Sequence, residues 1–284
     1  MHKKTDDTAI RITTNDIRAV KTLAEPLVCL TAYTARIAQI LDAHCDLLLV
    51  GDTMGMVLYG MDNTRGVTLD MMINHGKAVM RGSEKACVIV DMPFGTYESS
   101  PEQALASARR IMEETGCGGV KLEGGAAFAP TIQTLVSHDI PVVAHIGLLP
   151  QSVEDASGFK VQGKSNDDQQ QLLEDAKAVE EAGAFAIVIE ATIDSVAALI
   201  TRTVSVPTIG IGASPECDGQ ILVTEDMLGI TGDHVPKFVK HYAQISEDIE
   251  KAVALYAQEV RTRAFPDIKN LYTQPAARLK EKAS

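Results

Sequence analysis

Five successive apolar runs along this chain end in, or carry near their ends, ionisable residues. Asp52 closes LLLVGD, Asp91 follows CVIV, Lys121 and Glu123 stand in VKLEGG, His145 in VVAHIG and Glu190 in AIVIEA. The two-residue period of a strand puts Lys121 and Glu123 on one face, with Val120 and Leu122 on the other. Each residue alone could serve as a strand-end cap or a partner for a neighbouring charge. Gathered at one place, they carry a burial cost that calls for a ligand or a metal. Carboxylates with a single nearby His and no Cys form a hard, oxygen-rich donor set, which suits Mg²⁺ or Mn²⁺ over zinc. A 2-oxo acid chelates such an ion through its keto and carboxylate oxygens, and the ion then stabilises an enolate. A carboxylate opposite, Glu190, is suited to take the α-proton, a task in which positioned bases contribute roughly 10²–10⁴-fold. The residues alone lead to a divalent-metal enzyme that makes or uses an enolate, with the substrate left open.

The elements that must position these groups are short and regularly spaced. Runs at 27–33, 46–52, 86–93, 118–125, 141–147, 185–191, 207–212 and 220–226 are β-branched and almost continuously apolar, the mark of strands covered on both faces. Helical stretches separate most of them. SPEQALASARRIMEETG (100–116) has Ser100 as N-cap, Pro101 at the first helical position and Gly116 as its stop; 167–183 repeats the design, and 68–83 and 195–204 are further helices. Eight strands alternating with helices predict an α/β fold, a (βα)₈ TIM barrel, whose chemistry sits at the C-terminal strand ends. A doubly wound open sheet is the alternative, but no Gly-rich turn follows the first run, where TARIAQ stands. Residues 13–24 read as a capped helix preceding the barrel and 246–264 as a long amphipathic helix closing it. A single barrel domain over 1–264 with a tail at 265–284 is expected.

Composition narrows the partners. The chain has 284 residues, 45% of them hydrophobic, and a formal net charge of −12, which argues against nucleic acid or anionic membranes as main partners. Cys29, Cys45, Cys87, Cys117 and Cys217 are scattered without a C-x-x-C pair, as suits reduced thiols in a cytoplasmic protein. No apolar stretch reaches membrane-spanning length. GFKVQGKS (158–165) matches the phosphate-loop pattern G-x-x-x-x-G-K-[ST]. A working phosphate loop leaves a strand directly, whereas here LLPQSVEDAS intervenes, so a glycine-bearing loop over the barrel mouth is the better reading.

Eight blocks in order extend these residues into a resemblance: VGDTMGMVLYG, GVTLDMMINHGKAVMRG, VDMPFGTY, GVKLEGG, AHIGLLPQS, GFKVQGK, PTIGIGAS with CDGQILV, and GITGDHVPKFVK. Over residues 12–260 the chain resembles the ketopantoate hydroxymethyltransferase family. The resemblance implies a barrel of the phosphoenolpyruvate mutase/isocitrate lyase type and a homo-oligomer, a decamer in bacterial members. It implies transfer of a one-carbon unit from 5,10-methylenetetrahydrofolate to 3-methyl-2-oxobutanoate, giving 2-dehydropantoate for pantothenate and coenzyme A synthesis. Carried over by position, Asp52, Asp91 and Glu123 correspond to the magnesium site; Asp52, Thr53, Asp91 and Lys121 to oxo-acid contacts; and Glu190 to the general base, with His145 a further polar contact. The chain departs from the family at Thr53, where Ser is usual, at EATI after the sixth run, which leaves the backbone beyond Glu190 less fixed, and at Thr34, Ala144 and Ser214. A magnesium-dependent C–C lyase or mutase on the same barrel is the competing activity. Such relatives carry a Lys-Lys-Cys-Gly type segment, which is missing here.

Overall fold

A computed structural model describes residues 10–23, 25–153, 160–230 and 235–272. Eight strands run Leu27–Thr31 (β1), Leu47–Val50 (β2), Cys87–Asp91 (β3), Gly119–Glu123 (β4), Val142–Gly147 (β5), Ala186–Glu190 (β6), Thr208–Ile211 (β7) and Gly219–Leu222 (β8). Each pairs in parallel with the next, and β8 returns to β1, so the expected barrel closes. The helices are Thr14–Ala19 (α1), Ala35–Leu41 (α2), Met54–Val57 (α3), Leu69–Gly82 (α4), Pro101–Thr115 (α5), Ala129–Val136 (α6), Asn166–Glu181 (α7), Asp194–Thr203 (α8), Thr224–Leu228 (α9) and Ile245–Thr262 (α10).

Strand parity sorts the apolar residues into two layers. Leu47, Leu49, Cys87, Ile89, Val143, Val188, Ile209 and Ile221 fill the barrel, joined by fully buried Ile17 of α1. Their neighbours Leu48, Val50, Val88, Val90, Val120, Leu122, Ile187 and Ile189 face outward and pack with Val79, Ile111, Leu135, Val179 and Ile200 of the surrounding helices. Of the helix expected over 13–24, only residues 14–19 are α-helical, and a 3₁₀ turn continues it to Thr22. Its start is fixed by a reciprocal cap between Thr13 and Asp16. Ser100 caps α5 through the Gln103 N–H, and Gly116 ends it with a φ of 71° that few other residues adopt.

Two expectations change. The run 220–226 is a strand only to Leu222; Thr224 bonds back to Thr31 and the chain turns into α9. The long amphipathic helix exists as α10 but does not close the barrel, and none of its residues is buried. Ile249, Val253, Tyr256 and Val260 recur along one face and are 44–58% exposed. The outward side of β1 and β8 is correspondingly bare: Val28 is 49% exposed and Gln220 is exposed. An amphipathic period says only that a face needs a cover, not that this chain's own barrel provides one.

Candidate active site

Barrel register brings the chemically capable residues side by side. Asp91 pairs with Lys121 across β3 and β4, Glu123 with His145 across β4 and β5, and Gly147 with Glu190 across β5 and β6. All are inward by parity and lie at the C-terminal ends of their strands. Asp52 arrives differently, two residues beyond β2, and its N–H donates to Asp91 Oδ2 at 3.1 Å. Together with Thr53, Thr31 and Pro150, the side chains of Asp52, Asp91, Lys121, Glu123, His145 and Glu190 line one small open-mouthed cavity. Every site residue expected from the sequence borders that space, and Asp52, Asp91, Lys121, Glu123 and His145 are each at most 5% exposed.

The electrostatics are those of a buried site short of positive charge. Lys121 Nζ stands 3.1 Å from Asp91 Oδ1, and the same oxygen receives no hydrogen bond of good geometry. Burial works against the Lys121 ammonium, but Asp91, Glu123 and Asp52 outweigh it and hold it charged. Burial, and then the Asp91 charge, push the Asp52 carboxyl up to about 7. Burial and Asp52 likewise raise Glu123. Lys121 also lies 3.2 Å from His145 Nδ1. An ammonium can only donate, so Nδ1 accepts and the imidazole proton sits on Nε2, 3.1 Å from Glu190 Oε2 but out of hydrogen-bond alignment with it. Burial and then Lys121 lower the His145 pKa, which keeps the ring neutral.

The surroundings of Glu190 correct a sequence expectation. Ala191 adopts a φ of 44°, and its N–H donates to Ile211 O while its own carbonyl accepts from Gln162 N, both at 2.8 Å. Glu190 O accepts from Leu148 N and from Thr192 Oγ1, each at 3.0 Å. The backbone beyond Glu190 is therefore tightly held despite the EATI sequence. Gly147 (φ 92°) makes this approach possible, since a Cβ there would sit 2.3 Å from Glu190 O. Thr53 opens α3 without a side-chain capping bond, so its hydroxyl is not spent on the helix. Thr34, another departure, caps α2 through Ile37 N.

Sequence reasoning missed Gln151 and Tyr97. Gln151, 3% exposed in a 3₁₀ turn just after β5, donates from Nε2 to Asp52 Oδ2 at 2.8 Å and from its backbone N–H to Glu123 Oε2 at 3.0 Å. Tyr97, 2% exposed, donates to Gln151 Oε1 at 2.5 Å. Both are loop residues, so no strand or helix period flagged them.

The phosphate-loop match does not form a phosphate site among the described residues; Gly158 and Phe159 lie outside them. Ser165 caps α7 reciprocally with Asp168, and Asp167 and Asp168 occupy the first turn, where they would repel a phosphate. Gln162 instead bridges to Thr192 beside the end of β6.

The donor set fits a hard divalent cation. Among the described residues no three His, Cys, Asp or Glu side chains converge as a preformed cage. Mg²⁺ needs none, because it is commonly held by one or two carboxylates with waters and substrate oxygens completing six positions. The under-bonded Asp91 Oδ1 and the like-charge crowding of Asp52, Asp91 and Glu123 around one lysine supply the negative oxygen surface such an ion takes.

A family profile described as ketopantoate hydroxymethyltransferase matches residues 11–268. The chain belongs to this family. It is 59% identical over 256 residues to 3-methyl-2-oxobutanoate hydroxymethyltransferase of Agrobacterium fabrum (strain C58 / ATCC 33970), covering 90% of this chain and 91% of that one. It is 57% identical over 256 residues to the enzyme of the same name from Rhizobium rhizogenes (strain K84 / ATCC BAA-868), covering 90% and 93%. Among solved structures, phosphonopyruvate hydrolase complexed with oxalate and Mg²⁺ superposes with a TM-score of 0.60 at 13% identity, over 91% of this chain and 93% of that one. A 2,3-dimethylmalate lyase of the PEP mutase/isocitrate lyase superfamily gives 0.59 at 13% identity, over 92% and 89%. At such identities the likeness speaks for the fold, which is the barrel type the ketopantoate hydroxymethyltransferase blocks implied.

Proposed function

We propose that the protein is a 3-methyl-2-oxobutanoate hydroxymethyltransferase, taking its one-carbon unit from 5,10-methylenetetrahydrofolate and releasing 2-dehydropantoate. The observation that carries this reading is one cluster, buried Asp52, Asp91, Lys121, Glu123 and His145 with half-buried Glu190 beside them, in a chain matched to the family over residues 11–268. Asp52, Asp91 and Glu123 would hold Mg²⁺ or a similar ion, which when bound supplies Lewis-acid stabilisation of negative charge on the keto oxygen.

The chain's own residues perform the rest. Lys121 is a fixed positive charge at the floor of the site and attracts a small anion into an otherwise acidic protein. Asp52, Thr53, Asp91, Lys121 and His145 contact the oxo acid. Glu190 takes the proton from C3 of the keto acid, and the C–H electron pair moves toward the keto group. His145 is neutral and keeps its Nε2 beside Glu190. Water adds to the folate methylene carbon and both of its C–N bonds break, the two hydrogens of water going to the folate nitrogens, so that tetrahydrofolate leaves and the carbon remains at the formaldehyde level. C3 then bonds to that carbon, its C=O pair moves onto oxygen, and the oxygen takes up one proton, matching the one Glu190 removed. Reduced, buried thiols at all five cysteines suit the cytoplasm.

Self-association belongs to the same reading. The apolar face of α10 and the bare outer side of β1 and β8 are surfaces that a second copy would cover, in keeping with the decamer implied by the resemblance.

The test is product formation from 3-methyl-2-oxobutanoate and 5,10-methylenetetrahydrofolate, followed by mass spectrometry. Glu190→Gln is expected to cut kcat roughly 10²–10⁴-fold while the keto acid still binds. Cleavage of the keto acid instead of its extension would favour the lyase reading and overturn this one.

A further inference from the structure

A buried glutamine touches two of the carboxylates, one through its side-chain amide and one through its backbone N–H, and takes no part in the chemistry above. Gln151 donates from Nε2 to Asp52 Oδ2 at 2.8 Å and to Met92 O at 3.0 Å, and accepts at Oε1 from Tyr97 at 2.5 Å. A carbonyl only accepts, so the Met92 contact fixes which end of the amide is nitrogen. Its backbone N–H holds Glu123 Oε2 at 3.0 Å. Tyr97 lies 3.3 Å from Glu123 N and 3.4 Å from Glu123 O, so the same unit also holds the end of β4. One turn after β5 thus grips side chains from β4 and from the turn after β2, on opposite sides of β3. Each polar atom of the Gln151 side chain is used, in a residue that is 3% exposed.

We propose that Gln151, backed by Tyr97, is a positioning residue for cation binding: its side-chain amide orients the Asp52 carboxylate toward an ion shared with Glu123, which the Gln151 backbone N–H holds beside it. This rests on the reading that those carboxylates serve the cation. A donor on one carboxylate oxygen fixes the plane of the group and leaves other lone pairs for a metal, and loss of such a partner typically weakens metal affinity about 10–100-fold. A part in loop packing alone would leave metal affinity unmoved.

The test is a titration of the EDTA-stripped, re-dialysed full-length protein with Mn²⁺, reading free Mn²⁺ by electron paramagnetic resonance. No substrate is present. Gln151→Met keeps the length and burial of the side chain and removes its hydrogen bonds; circular dichroism and the melting temperature report its fold. A folded Gln151→Met protein with Mn²⁺ affinity lowered about tenfold or more bears the proposal out. A change under threefold overturns it, while wild-type binding still upholds the cation site. A wild type that binds no Mn²⁺ overturns both. Should Gln151→Met fail to fold, Tyr97→Phe decides: weaker Mn²⁺ binding upholds the proposal, and unchanged binding overturns it.

Discussion

Ala191 shows how much the site depends on single backbone positions. Its φ of 44° lies in the left-handed region, which costs a non-glycine residue on the order of 1–2 kcal/mol. The surrounding hydrogen bonds outweigh that cost and aim Glu190 at the cavity. A β-branched side chain tolerates this conformation worse, so Ala191→Val is expected to lose about 2 kcal/mol or more, seen as a lower urea midpoint. Ala191→Gly is expected to stay within about 1 kcal/mol of wild type. Relief of strain there is offset by lost contact with Leu148 and Val153. Equal stability of the Val variant would show that the backbone is not constrained. Most of the site was legible at this scale: strand parity alone puts Asp91, Lys121, Glu123, His145 and Glu190 on one inner face. Gln151 and Tyr97 were not, because a loop residue's partners depend on a path that no local period encodes.

At the scale of elements, caps and strand runs were readable and the ties between elements were not. Ser100 caps the helix its position suggests, and Thr34 and Ser165 prove to cap α2 and α7. Asp42, at the end of α2, gave no such signal, yet it accepts from Ser83 Oγ and from the N–H groups of Glu84, Lys85 and Ala86, fastening α4 and the start of β3. Burial alone would raise its carboxyl, but these hydrogen bonds outweigh burial and lower it. A folded pKa below the unfolded one means that the stabilisation is present above about pH 4 and is lost as pH falls through the folded value. Asp42→Asn is expected to destabilise by about 2 kcal/mol at pH 7, with the gap to wild type narrowing in acid. Denaturant melts at pH 7 and pH 3 check this, and a gap independent of pH would contradict it.

For the whole molecule, the eight-strand alternation carried the barrel because the strands β2 to β7 bury both faces and so read as solid apolar runs. The position of α10 was out of reach for a physical reason: an amphipathic stripe is the same whether its cover is this barrel or another copy. With Ile249, Val253, Tyr256 and Val260 exposed, paired substitutions Val253→Glu and Tyr256→Glu are expected to lower the mass seen by light scattering. Their barrel circular dichroism should remain. An unchanged mass would remove α10 from the assembly surface.

Burial of acidic groups around one cation, so that a keto acid can carry negative charge, is the claim on which the chemistry turns. Proton NMR of 3-methyl-2-oxobutanoate with the protein in D₂O, folate omitted, tests it most directly. Loss of the C3 hydrogen signal is expected with Mg²⁺ and is expected to slow by about 100-fold or more in EDTA, since a Lewis acid supplies several kcal/mol. Exchange at the same rate in EDTA-stripped and Mg²⁺-loaded protein would contradict it.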